Sequence, residues 1–177
     1  MKASAFSLLE LVVVVVIVGV IAAIAIPRLS GFAAGSKVQA AASSVRAMQE
    51  RVIEYQGLEG SWPGTIDPNW FMGGRIPPNP YDGTSPRGIQ SVNAGADVTE
   101  PTIKVTGAGK AAYWYNRDNG QVRARVANLG TAGANVALYN AVNGTGVSAL
   151  NQTKIESGSE EAETEDDGES IELELGG

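Results

Sequence analysis

The hydrophobic pattern changes period twice along the chain. Residues 6–26 are apolar except for Ser7, Glu10 and Gly19. At about 1.5 Å per residue, a helix of that length rises roughly 31 Å, close to the thickness of a bilayer's hydrocarbon layer. Residues 12–16 are all valine, a β-branched run that in water favours a strand. In lipid every backbone group has to be satisfied within the segment, so helix is expected. Pro27 removes a backbone donor, which predicts a bend there with the helix continuing beyond. Gly31 and Gly35 loosen the junction, and a second pattern follows. Val38, Ala41, Ala42, Val45, Met48, Val52 and Tyr55 recur at three- and four-residue steps, while Lys37, Arg46, Glu50, Arg51 and Glu54 are polar. That is the pattern of a helix packed on its own sheet.

Residues 57–87 contain six prolines and are predicted to be irregular. Trp62, Trp70, Phe71 and Tyr81 punctuate them, either pinning the loop to a core or lining a peptide groove. Then the period drops to two. Residues 102–106, 111–116 and 121–127 read as strands, and Asn119-Gly120 is a strong hairpin signal between the last two. Val122, Ala124 and Val126 share one face; Gln121, Arg123 and Arg125 share the other, as on a half-solvated antiparallel strand. The two arginines form a solvated face or a basic patch for a partner. Residues 135–142 (NVALYNAV) suit a strand or a short helix. The sum is an α+β fold: a long helix whose outer half packs on a small antiparallel sheet of three to four strands.

Charge separates the chain into a body and a tail. The net charge is -6, yet residues 156–177 hold ten acids and no base, so residues 1–155 are net positive. A tail of that composition cannot bury enough apolar surface to order itself and is expected to be disordered. Within it, residues 171–175 (IELEL) alternate and could add to a sheet edge. The body's Lys and Arg are scattered, and no nucleic-acid partner is expected. With no cysteine and no histidine, disulfides, thiol nucleophiles, Ser-His-Asp triads and Cys/His zinc sites are excluded. The acids of the body stand apart; Glu50 and Glu54 lie one helical turn from each other but beside Arg46 and Arg51. No catalytic residue, metal ligand or cofactor is assigned, and the chain is not expected to be an enzyme. Tail or loop calcium is the alternative to a metal-free chain, weakened by the lack of a turn framework among the tail's carboxylates.

Glu10 makes the apolar run unusual, because a carboxylate among lipid tails is costly. Three readings compete for residues 1–30. A cleaved secretory signal has a shorter apolar core and a small-residue cut site, which is missing here. A plain membrane anchor leaves Glu10 unexplained. A cut between Ala5 and Phe6 would keep the apolar segment and give Phe6 a positive amine one helical turn from Glu10.

Ala5-Phe6-Ser7-Leu8-Leu9-Glu10, followed at once by the apolar run, resembles the prepilin processing site of type IV pilins and type II secretion pseudopilins. The resemblance covers about the first 30 residues, with Lys2 in the leader and Gly19 and Pro27 at familiar places. Alanine at position 5 stands where glycine is usual. It implies a pilin-like fold and a leader of residues 1–5. Residues 6–27 would form the transmembrane and filament-core helix, and 28–56 the helix's outer half. Residues 57–155 would form the loop-rich region and sheet, and 156–177 the tail. It also implies cleavage between Ala5 and Phe6, N-methylation of Phe6, and an assembly role for Glu10 with Phe6. The implied partners are a prepilin peptidase, an inner-membrane assembly platform, membrane lipid, and copies of itself and related subunits. The implied location is the bacterial inner membrane, single-pass with the N-terminus cytoplasmic, and then a periplasmic or surface filament. Trp62-Pro63 and residues 76–81 (IPPNPY) resemble pseudopilins more weakly. They favour a type II secretion pseudopilus, with a type IV surface fibre or an unprocessed anchored binding protein as alternatives.

Overall fold

A computed structural model describes residues 7–82, 88–107 and 109–155; within its first helix the side chains of residues 25–30 are not described. The leader, both sides of the Ala5–Phe6 bond and the acidic tail lie outside the described residues. So do the surroundings of Pro27 and hence the expected bend.

One helix, α1 (Leu8–Glu59), joins the two helical patterns without a break. Gly31 and Gly35, expected to loosen the junction, are taken up in it. It stops where Gly60 turns left-handed at φ 72° and donates its N–H to Gln56 O at 2.9 Å. Its outer half buries the stripe read from the sequence: Ala41, Val45, Met48 and Val52 are core residues, with Val38 packed beside them. Three strands lie against that stripe. β1 (Ile89–Val92) pairs with β2 (Tyr113–Asn116), and β2 with β3 (Val122–Ala124). Tyr113, Tyr115, Val122 and Ala124 face α1 and complete the core. A second helix, α2 (Ala132–Asn143), covers the end of the layer with Tyr139 and Val142. It resolves the ambiguity of residues 135–142. Thr131 Oγ1 accepts from Ala134 N at its start, and Gly144 ends it at φ 64°.

The sheet is mixed, not antiparallel. β1 runs parallel to β2, in register Ile89 with Tyr113. A parallel pair needs a long return path. Residues 93–112 supply it by crossing the far side of the sheet. The strand expected at residues 102–106 is part of that crossing and is reduced to one bridge, Val105 to Val126. The crossing also corrects the face assigned to solvent. Arg125 is 2% exposed, and Arg123 lies under the crossing segment paired with Glu100 at 2.8 Å. The alternation in residues 121–126 sorts the two faces correctly, but both are covered.

The proline-rich stretch is tied to this core by its own carbonyls. Tyr115 Oη donates to Pro63 O at 2.7 Å, Tyr113 Oη to Pro77 O at 3.0 Å, and Ser44 Oγ to Pro78 O at 3.0 Å. Asn79 is buried and donates to Ala112 O and Arg125 O. Trp62, Trp70, Phe71, Ile76 and Tyr81 pack on the core, so the aromatics do pin the loop. At the hairpin, Gly120 has φ 73°, and a Cβ there would sit 2.4 Å from the Trp62 ring. Gly120→Ala is therefore expected to destabilise the fold by about 2–3 kcal/mol, from left-handed strain together with displacement of Trp62. Thermal unfolding of the two chains compares them directly.

Candidate functional site

The inner half of α1 differs from everything else in the molecule. From Leu8 to Ile24 its large apolar side chains are 48–81% exposed on every side of the helix, with no other element packed on them. An apolar surface of that extent, wrapped right round a helix, marks a segment whose neighbours are lipid or other chains. Gly19 also faces open space. Among the described residues no helix is long and apolar enough to cross a membrane. The described apolar stretch, residues 8–24, rises about 25 Å, short of the roughly 30 Å of a bilayer core. The apolar pattern continues through residues 25 and 26, whose side chains are not described.

Glu10 is the one acid in the first turn of α1. That turn begins with Leu11 N donating to Ser7 O at 3.2 Å, and the Ser7 side chain makes no cap. The helix dipole favours a carboxylate there. Glu10 is exposed and makes no ion pair with any described residue. Ala5 and Phe6 lie outside the described residues, so the expected charge pair has one member in view. The remaining sequence candidates are occupied by ordinary contacts. Glu54 is paired with Arg51 at 2.6 Å within one turn of α1. No group of three or more metal-ligating acids occurs among the described residues.

A cluster that sequence reasoning missed lies under the crossing segment. Among the described residues the fully buried charges are Glu100, Lys104 and Arg125. Glu100 accepts from Arg123 Nε at 2.8 Å and from Tyr139 Oη at 2.5 Å. Burial pushes the Tyr139 hydroxyl pKa up, and the neighbouring Glu100 charge adds to that. Lys104 Nζ donates to the carbonyls of Pro101, Leu150 and Gln152, and its ring neighbour is Tyr139. Desolvation lowers its pKa, with Glu100 opposing. Thr99 N and Glu100 N both donate to Thr153 O. The cluster thus fastens residues 150–153 to the crossing segment without a disulfide. The Glu100 oxygens are taken by Arg123 and Tyr139 and the Lys104 ammonium by main-chain carbonyls, which gives the cluster a structural role. Its signal in the sequence was the proximity of Glu100 and Lys104 to two arginines on a supposedly wet face.

A helix half clothed by a small sheet and half bare is the architecture of a pilin-like protein. No family model matches the chain, and no solved structure matches it. Known proteins do. Type IV major pilin protein PilE1 of Neisseria gonorrhoeae is 29% identical over 124 residues, 67% of this chain and 66% of the relative. A fimbrial protein of Neisseria meningitidis serogroup B is 27% identical over 121 residues, 67% of this chain and 69% of the relative. These similarities, at 27–29% identity, support the type IV pilin family. It spans about two thirds of the length of the curated relatives it matches.

Proposed function

We propose that this chain is a structural subunit of a pilin-type filament. The observation that carries the reading is the bare apolar half of α1 with Glu10 in its first turn, beside a domain that completes its core without it. Lipid covers that half before assembly, and the same half of neighbouring subunits covers it afterwards. A head-to-tail contact that does not close on itself generates an open helix. Processing between Ala5 and Phe6 by a prepilin peptidase, N-methylation of Phe6 and extraction through an inner-membrane platform complete the reading. It assigns no catalytic residue and no cofactor.

Two kinds of filament suit such a subunit. Trp62-Pro63 and residues 76–81 support a periplasmic pseudopilus of type II secretion. The names of the matched relatives, major pilin and fimbrial protein, support a surface fibre. Intact-mass measurement on chain taken from membranes and from sheared cell surfaces tests the shared core of the proposal. A mass beginning at methylated Phe6, in material that forms fibres under the electron microscope, is expected. A chain that keeps Met1 and never enters a fibre would overturn it. Loss of the gene should then remove long surface fibres in one case and protein secretion in the other.

A further inference from the structure

The two edges of the sheet are treated differently. The β3 edge is sealed by side-chain amides. Gln49 Oε1 accepts from Val122 N at 3.0 Å while its Nε2 donates to Gly120 O at 2.9 Å. Asn143 Oδ1 accepts from Ala124 N at 2.7 Å while its Nδ2 donates to Ala124 O at 3.0 Å. Two amides, one from each helix, thus take the place of a neighbouring strand. Among the described residues the β1 edge has no such cover. Gly88 and Val92 carbonyls accept from β2 and its flank. The backbone groups of Ile89 and Ser91 therefore point away from the sheet and find no partner among the described residues. An open strand edge is a template for another strand.

Both faces beside that edge are shaped for a particular kind of strand. On the α1 side, Ile89 packs on the core, and an apolar groove of about 730 Å³ opens at Gly88, lined by Phe71, Met72, Ile76 and Tyr113. On the other side, Gln90, Val92, Trp114 and Arg125 line a cavity of about 250 Å³. Glu100 lines the same cavity, but its oxygens are taken by Arg123 and Tyr139, and among the described residues Arg125 makes no direct ion pair: it donates to Gln90 Oε1 and to the carbonyls of Ile103, Ala111 and Tyr113. Glu100 is one buried acid beside two fully buried cations, Lys104 and Arg125, so a strand with apolar side chains on one face and carboxylates on the other would fill the groove and add negative charge where cations are in excess.

The chain contains one. Residues 171–175 (IELEL) put Ile171, Leu173 and Leu175 on one face, and Glu172 and Glu174 on the other. We propose that residues 171–175 add to the outer edge of β1 in the same chain, as a fourth strand. The apolar set lies toward Ile89 and the groove, and the glutamates toward Gln90 and Arg125. Residues 156–170 are the connection; fully extended they reach about 50 Å, more than a small domain's width. A tether of that length holds the segment at millimolar effective concentration, which favours the chain's own tail over a neighbour's.

The absence of cysteine makes the test clean. In the full-length chain, Ser91→Cys is combined in turn with Cys at each of positions 171 to 175, and oxidised at several dilutions. Ser91 shares the face of Ile89, so disulfides are expected from positions 171, 173 and 175 at least ~10-fold above those from 172 and 174. Their yield should not depend on concentration. Equal yields at all five positions, or none, would overturn the proposal. A crosslinked dimer lost on dilution would overturn it too, by assigning the edge to another copy. Independently, Leu173→Lys is expected to speed amide exchange at Ile89 and Ser91 by at least ~10-fold, and unchanged exchange at both counts against the strand.

Discussion

Glu100→Gln is expected to destabilise the fold by about 3–5 kcal/mol, the cost of breaking a buried ion pair by removing one partner. The side chain is fully buried, and each carboxylate oxygen has a committed donor, Arg123 Nε or Tyr139 Oη. Lys104 and Arg125 are buried in the same layer, so removing the charge leaves cations with no buried acid among the described residues to balance them. An amide keeps the size of the side chain but offers one acceptor where two are needed, and its N–H₂ would face the donors already there. Glu100→Gln and Glu100→Leu are expected to be similarly damaging, because the harm lies in the stranded cations rather than in lost volume. Since whole domains are stable by only about 5–15 kcal/mol, such a loss would remove much of the margin. Urea unfolding of the full chain in detergent measures it. The double change Glu100→Leu with Arg123→Met should recover part of the loss, since it removes both members of the pair.

How far this could be read in advance depended on distance along the chain. The stripe Val38 to Tyr55 is a local pattern, and α1 buries it as expected. The turn at Asn119-Gly120 is equally local: Asn116 and Gln121 close it with backbone hydrogen bonds. β1 was not legible. Four residues, Ile89 to Val92, carry no marked alternation, and their partner lies beyond a long crossing. The burial of Arg123 and Arg125 was not legible for the same reason. Period two says which residues share a face, but only the path of residues 93–106 decides whether water or protein lies over it. Glu10 stands out in the sequence because its oddity is local, an acid in an apolar field, while its expected partner Phe6 lies outside the described residues. The structure adds that the described elements leave this half of α1 uncovered.

Glu10→Ala is expected to leave the globular domain folded and the chain in the membrane, and to reduce filament yield to a few per cent or less. The domain should be indifferent, because residues 8–24 contribute nothing to the core formed by α1's outer half, the sheet and α2. Membrane insertion should if anything improve. On insertion scales an acid costs about 3 kcal/mol at the centre of a lipid-embedded helix and less toward its end, where Glu10 stands, and the dipole of the first turn returns at most about 1 kcal/mol. The carboxylate therefore has to gain something after insertion. An amine at Phe6 of a neighbouring subunit supplies it: the pair is made away from water, where opposite charges interact strongly, and only one axial offset between subunits brings the two together. Glu10→Gln separates register from bulk attraction. It keeps the shape and a hydrogen-bonding head but removes the charge, so it should assemble as poorly as Glu10→Ala if the ion pair sets the offset. Fibre counts by electron microscopy, with membrane fractions probed for the chain, read both effects at once. Abundant, regular fibres from Glu10→Ala would mean that the apolar surfaces alone fix the register, and the pairing argument would fail.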